Sequence, residues 1–160
     1  MFEGLITARE IDFIINIVIA VILGFGIGAE RESRGKDAGI STHTFVIVGA
    51  MLFTFLSGVV DPASKSRIAA QIVSGIGFLG AGIILKDGAT VKNLTTAASI
   101  WFAGAIGMAI GFGFHAIAVI AAITSILLPR IPHIHKHPQR QLDVSKIDKS
   151  DLPAAAVTDD

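Results

Sequence analysis

Four long runs without a charged residue constrain this chain more than any other feature. They cover residues 13–29, 43–60, 68–85 and 93–129, where Asp, Glu, Lys and Arg are all absent. A helix of about 17 residues is about 25 Å long, close to the thickness of a bilayer's hydrocarbon core once tilt and flanking residues are included. The last run is long enough for two such helices, with a turn at residues 111–113.

We therefore predict an all-α polytopic membrane protein with five transmembrane helices and glycine-rich close packing. The predicted spans are approximately residues 11–29, 43–60, 68–85, 94–110 and 112–128, all within one transmembrane domain at residues 1–130. The composition agrees, because 52% of the residues are apolar and only 16% are charged, unlike ordinary soluble domains. A soluble bundle also needs polar faces towards water, and these runs have no polar stripe at helical spacing.

The charges outside the spans predict the orientation of the chain. Of the 13 Lys and Arg residues, ten fall on one side of the predicted topology and three on the other. Because basic residues favour the cytoplasmic side, we place the N-terminus outside and the C-terminus in the cytoplasm.

The segment at residues 131–160 contains many Asp, Lys, Pro and Ala residues and few large apolar ones, which predicts a disordered cytoplasmic tail. His133, His135 and His137 alternate within it, so an extended backbone would place all three on one side, where they could chelate a transition metal. In a flexible segment the same spacing is more often adventitious. Both interpretations stay open, and the adventitious one is preferred.

The stretch VSGIGFLGAG at residues 73–82 contains the G-x-G-x-x-G spacing that binds dinucleotide phosphates in soluble folds. No strand precedes it, and no acidic residue follows at the distance that would bind a ribose, so we reject a nucleotide site. In a membrane helix, small residues instead allow backbones to approach closely. We predict that helix three lies at the centre of the bundle. The predicted packing positions are Gly24, Gly28, Ser74, Gly75, Gly77, Gly80, Ala81, Gly82, Gly104, Gly107 and Gly111.

Polar residues gather at the predicted cytoplasmic ends of the helices. This candidate functional cluster comprises Glu30, Arg31, Glu32, Asp37, His43, Thr95 and Thr96. One hypothesis makes it a site for a cation or a protein partner. The alternative is a helix cap with a compensating ion pair, because an acidic residue at a helix C-terminus is unfavourable without neighbouring arginines.

A smaller polar set lies on the predicted outer side and comprises Asp12, Asp61, Arg67 and Gln71. Gln71 falls one turn into the membrane, where its amide needs a partner. We expect a hydrogen bond between helices there in preference to ion coordination.

The run RIAAQIVSGIGFLGAG at residues 67–82 resembles the signature of the MgtC/SapB family of membrane proteins. Three further motifs follow the family's order and spacing: GIGAERE at 26–32, AGISTH at 38–43 and LTTAASIW at 94–101. The resemblance covers about residues 10–128. Ser41 stands where the family usually has Arg, and Asn93 stands where it usually has Gly. Some members carry a cytoplasmic C-terminal domain, which we do not expect in the short tail.

The resemblance implies a multi-pass inner-membrane protein that supports growth at low magnesium and, in pathogens, survival inside host cells. Family genes often accompany a magnesium-transporting ATPase, so the expected protein partner is a membrane ATPase or transporter. The chain is also expected to contact the lipid bilayer and to form a homo-oligomer, with a dimer favoured. The sequence has no phosphorylation or nucleotide motif, and we expect neither catalysis, a cofactor nor nucleic acid, while magnesium binding stays open.

Two mechanisms fit these expectations. The preferred one is a regulator that contacts another membrane complex through small-residue faces. The alternative is a cation channel or carrier, which would require oxygen ligands along a path, whereas the spans contain no carboxylates between their boundaries.

Overall fold

A computed structural model describes residues 7–64, 66–87 and 90–131. The elements are, in chain order, helix α1 (Ala8–Ser33), helix α2 (Ile40–Val60), helix α3 (Ser66–Ile83), strand β1 (Leu85–Asp87), strand β2 (Thr90–Lys92), helix α4 (Leu94–Gly111), helix α5 (His115–Leu127) and a short 3₁₀ helix (Leu128–Arg130). The predicted all-α fold with five principal helices is confirmed. The histidines at 133, 135 and 137 lie outside the described residues.

Four of the helices, α1 to α4, are long and apolar enough to cross a membrane, which confirms the polytopic prediction. Helix α5 is shorter than the predicted span at 112–128. The turn before it takes up residues 112–114, with Gly113 in the left-handed region at φ 82°. The 3₁₀ helix prolongs α5 as far as Arg130, so together they measure roughly 26 Å.

Helix α3 ends earlier than predicted, because a hairpin replaces its last residues. Leu85 pairs with Lys92 in a two-stranded antiparallel sheet. Asn93 then begins α4 with φ 65°, and its side chain donates to the Ile83 carbonyl over 3.4 Å. Asn tolerates this left-handed conformation better than most residues, which explains how it can stand where the family pattern has Gly.

Helices α2 and α4 form the centre of the bundle, and α3 lies at its edge, packed mainly against these two. The prediction that helix three is central is therefore wrong. Its buried residues form a single stripe: Ala69, Ile72, Ile76 and Gly80. Most of the remaining α3 surface is exposed in the described part of the chain. Small residues in a membrane segment suit contact with lipid or with another chain as well as with a neighbouring helix.

The glycines of α1 and α4, in contrast, lie where backbones approach. A Cβ at Gly24 would lie 2.6 Å from the Thr44 Cα, and one at Gly28 would collide with the Ile40 backbone. These two contacts bring α1 against α2.

In α4, Gly107 faces the Ile47 carbonyl, and a Cβ at Gly111 would lie 2.6 Å from the Met51 carbonyl oxygen. Gly104 faces the side chain of Ile76 on α3. A side chain at Gly107 or Gly111 would therefore push α4 away from α2, whereas one at Gly104 would require the end of the Ile76 side chain to move.

The small residues of α3 divide into two groups. A Cβ at Gly80 would lie 3.6 Å from the Ala97 carbonyl oxygen, an ordinary contact, whereas one at Gly75, Gly77 or Gly82 would meet nothing within 4 Å. Ser74 and Ala81 are also exposed. The expected close contacts of these residues inside the chain are absent from the described structure, because Ser74, Gly77, Ala81 and Gly82 are exposed and Gly75 lines an open groove beside α2.

Candidate functional site

One end of the bundle, where α1 ends and α2 and α4 begin, holds the predicted polar cluster; we call it the polar end. Glu30, Arg31, His43 and Thr96 are buried there. The other three members, Glu32, Asp37 and Thr95, are exposed. The structure thus places four of the seven predicted residues in the interior of the protein.

Glu30 is buried with only half of its carboxylate engaged. Its Oε1 accepts a hydrogen bond from Arg34 Nη1 at 3.2 Å. The two residues also form an ion pair, because they lie one helical turn apart on α1. Its Oε2 is buried without a hydrogen-bond partner among the described residues. The ion pair agrees with the cap hypothesis, while the unpartnered oxygen leaves one position for a ligand or a water molecule.

Arg31 is almost completely enclosed, with 1% of its surface exposed. Its Nε and Nη2 atoms have no partner among the described residues. An unpaired buried guanidinium is costly, so this residue is the least satisfied group of the described chain. It lies against a groove between α4 and α5 that also contains Thr95, Ser99 and Ser125.

His43 links α2 to α4 at the polar end. Its ring is fully buried, with Nδ1 at 3.0 Å from the Gly39 carbonyl oxygen and Nε2 at 3.3 Å from Ser99 Oγ. The Ser99 hydroxyl also lies 2.7 Å from the Thr96 carbonyl oxygen, to which it can donate. Because both ring nitrogens face protein atoms, His43 acts as a connection between helices.

Glu32 has a structural position at the start of α2. Its Oε2 accepts a hydrogen bond from the Ile40 backbone N–H at 3.2 Å. A carboxylate beside a helix N-terminus stabilises the exposed N–H groups and the positive end of the helix dipole. This contact fixes the tight connection between α1 and α2.

The described residues do not form a preformed metal cage. No group of three or more His, Cys, Asp or Glu side chains among them is placed to hold a metal ion. Among the buried side chains of the described residues, Glu30 Oε2 is the one carboxylate oxygen without a partner, whereas Mg²⁺ requires near-octahedral oxygen coordination. Any magnesium ion at the polar end would therefore keep most of its water.

The predicted outer set lies at the opposite end and is more loosely arranged. Asp61 Oδ2 is 3.9 Å from Arg67 Nη2, and Asp61 Oδ1 accepts from the Ser64 backbone at 3.1 Å, which orders the turn between α2 and α3. Asp12 is exposed. Gln71 points outward beside a groove between α2 and α3, so the expected hydrogen bond between helices is not formed within the described chain.

Several polar positions escaped the sequence-based prediction, among them Asn16, Ser99 and Ser125. Asn16 is buried in α1, and its Oδ1 lies 2.7 Å from Nε2 of His115 at the start of α5. An amide inside an uncharged run is itself a signal of a polar contact within the membrane. Ser99 and Ser125 gave no comparable signal, because hydroxyl groups are common in membrane helices.

The architecture defines a class: a polytopic helical membrane protein with buried charges at one end of the bundle. The family model for the MgtC family matches residues 17–136, and the chain belongs to that family. It is 47% identical over 111 residues to Protein MgtC of Salmonella typhimurium strain LT2, covering 69% of this chain and 48% of that protein.

Two further relatives extend the comparison. "Putative magnesium transporter YhiD" of Escherichia coli strain K12 is 41% identical over 131 residues, covering 76% of this chain and 61% of YhiD. "Uncharacterized protein slr0014" of Synechocystis is 44% identical over 113 residues, covering 70% of this chain and 48% of that protein. The chain thus spans about half to three fifths of the length of these relatives. No solved structure matches the chain significantly.

Proposed function

We propose that this chain is a non-enzymatic inner-membrane protein that supports adaptation to low magnesium by regulating another membrane complex. The name of one relative, YhiD, refers to magnesium transport. Membership of the MgtC family also supports a role in magnesium handling. Support of survival in host cells, for members from pathogens, is part of the proposal on the strength of the family resemblance.

The observation that carries the regulatory mechanism is the free side of α3. A small-residue face, defined as Ala70, Ser74, Gly77 and Ala81, is exposed along this edge helix. In a bilayer such a face favours association with another helix, because it allows close backbone contact. We propose that it forms the contact of a homo-oligomer, preferably a dimer.

A groove beside this face supports binding of a different partner. It has a volume of about 440 Å³ and lies between α2 and α3, with Ala50, Phe53, Gly75 and Leu79 among its lining residues and Gln71 as a polar group. Side chains from a transmembrane helix of an ATPase or transporter would fill this apolar space, and an amide or hydroxyl on that helix would satisfy Gln71.

The second candidate function is a cation carrier, which the name of YhiD favours. The buried, unpartnered Oε2 of Glu30 adds a possible cation contact. Against it, the described residues contain no cluster of metal ligands. A dehydrated divalent ion requires several oxygen ligands at once, so the regulator stays the preferred mechanism.

The first prediction tests the polar end directly. We expect Glu30→Gln and Thr95→Val to abolish support of growth at low magnesium in a complementation assay, while protein level and oligomer size stay near those of the unmodified chain. Glutamine preserves the shape of Glu30 but removes the negative charge beside Arg31 and Arg34, so thermal stability is measured together with growth. Thr95 is exposed. Asp12→Asn, at an exposed carboxylate of the other end, is the matched control.

Flux through the purified protein then separates the two mechanisms. We expect no magnesium movement into liposomes that contain only the unmodified chain. Robust flux that disappears with Glu30→Gln would replace the regulator by the carrier. Normal growth with both substitutions would instead remove the polar end from either mechanism.

A further inference from the structure

The groove at the polar end combines an apolar wall with a single charged side chain. It has a volume of about 460 Å³ and lies between α4 and α5. Its apolar walls come from Ala98, Trp101, Phe102, Leu128 and Pro129. Its polar lining consists of Arg31 together with the hydroxyl residues Thr95, Ser99 and Ser125. This composition suits a ligand with an anionic group that contacts Arg31 and a hydrocarbon part that contacts the apolar walls.

Arg31 supplies the charge that needs a counterion. Two of its guanidinium nitrogens are buried without a hydrogen-bond partner. The neighbouring Glu30 attracts the charge of Arg31, but it accepts its hydrogen bond from Arg34 at 3.2 Å, so one carboxylate lies beside two arginines. Guanidinium groups bind phosphate oxygens through parallel hydrogen bonds, which are stronger than those between neutral groups. An oxyanion that enters the groove and displaces the atoms now covering the guanidinium would therefore satisfy donors that the described chain leaves without a hydrogen bond.

The walls of the groove indicate where that oxyanion comes from. Trp101 and Leu128 are 51% and 56% exposed; Trp101 lies on α4, which is long and apolar enough to cross a membrane, and Leu128 begins the 3₁₀ helix that follows α5. A soluble anion would gain nothing from these apolar side chains, whereas a phospholipid brings a phosphate and hydrocarbon chains together. Basic pockets between transmembrane helices commonly hold anionic headgroups.

We propose that this groove binds an anionic phospholipid, with the headgroup phosphate towards Arg31 and Ser125 and an acyl chain along Trp101 and Phe102. The site is independent of the proposed α3 contacts, which lie on another helix. A lipid bound here would join the end of α1 to α4 and α5.

Trp101 is the only tryptophan of the sequence and lines the groove, so it reports on occupancy directly. The full chain is reconstituted into two kinds of vesicle. One contains phosphatidylcholine mixed with brominated phosphatidylglycerol, and the other contains brominated phosphatidylcholine mixed with unlabelled phosphatidylglycerol. Quenching of Trp101 fluorescence is measured in both. We expect the brominated anionic lipid to compete for the position beside Trp101 with roughly three- to tenfold higher relative affinity, about the net value of one hydrogen bond.

Two variants and one matched control assign this preference to the groove. Arg31→Gln is expected to abolish it, and Ser125→Ala to reduce it while leaving the fold intact, because only one hydroxyl is removed. Arg67→Gln removes an exposed arginine at the opposite end and is expected to leave the preference unchanged. If Arg31→Gln fails to fold, the test uses the lipid preference of the unmodified chain and its reduction by Ser125→Ala.

Several outcomes would overturn the proposal. Equal quenching by both lipids in the unmodified chain would show that the groove has no anionic ligand from the bilayer. A preference that survives both Arg31→Gln and Ser125→Ala would place the lipid elsewhere. Reversal of the preference by millimolar inorganic phosphate, but not by chloride at equal ionic strength, would identify a soluble phosphate as the ligand.

Discussion

At the scale of single residues, glycine decides how closely α2 and α4 can pack. A Cβ at Gly107 would collide with the Ile47 carbonyl oxygen and lie 2.7 Å from the Ala50 Cβ. We therefore expect Gly107→Ala to lower the free energy of unfolding by about 1–3 kcal/mol, the usual range for overpacking. Thermal unfolding in detergent measures this loss.

The matched control is Gly77→Ala, where an added Cβ meets nothing within 4 Å. It changes the unfolding temperature of the monomer little, since alanine also favours a helix slightly. Equal destabilisation by both substitutions would contradict the packing that the structure assigns to α4.

The buried pair Asn16 and His115 provides a second prediction at this scale. Their hydrogen bond of 2.7 Å joins α1 to the start of α5. In a double-mutant cycle with Asn16→Ala and His115→Ala, we expect a coupling of about 0.6 kcal/mol, typical of side-chain hydrogen bonds inside membranes. The cycle is measured by unfolding in detergent. Strictly additive losses would mean that the two side chains do not interact.

The convergence of Glu30, Arg31, His43 and Thr96 was predictable from the sequence, because alternating spans bring these helix ends to one side of the membrane. Their individual contacts were not. Whether Glu30 pairs with Arg34 or Arg31 depends on rotamers and on the distance between α1 and its neighbours. The sequence shows only that these charges are adjacent.

At the scale of elements, the existence of the helices was predictable and their position in the bundle was not. Uncharged runs locate α1, α2 and α4 closely. The same reasoning placed α3 at the centre, because small residues look alike whether they face a helix of the same chain, lipid or a second chain. In a bilayer the lipid is as apolar as the protein core, so burial leaves no hydrophobic periodicity to detect.

The exposed side of α3 leads to a prediction about assembly. If its small-residue face contacts the same face of a second copy, a cysteine at Ser74 lies close to its symmetry mate. The chain contains no cysteine of its own. We expect Ser74→Cys to form a disulfide-linked dimer in membranes under mild oxidation, and the added substitution Gly77→Leu to reduce it several-fold.

Val18→Cys is the control for random collision, since Val18 is exposed on α1 at the other side of the bundle. Dimer yields from Ser74→Cys that do not exceed those from Val18→Cys would show that α3 is not the contact.

At the scale of the whole molecule, we predict that α5 crosses the membrane together with the four longer helices, which would place the two ends of the described chain on opposite sides. Ser33 ends α1 at the polar end, and Ser64 lies in the connection between α2 and α3 at the opposite end. Most Lys and Arg residues fall on the side of Ser33, which predicts that this side is cytoplasmic.

Single cysteines test this orientation on the cysteine-free background. We expect an impermeant maleimide to label Ser64→Cys in intact cells and Ser33→Cys only after permeabilisation. Both substitutions are mild: Ser33 loses a hydrogen bond to the Glu30 carbonyl, and Ser64 retains its backbone contact with Asp61. Labelling of Ser33→Cys alone in intact cells would invert the topology and expose the polar end to the outside. Labelling of both would contradict a first hairpin that crosses the membrane, because α2 must separate these two positions by the full thickness of the bilayer.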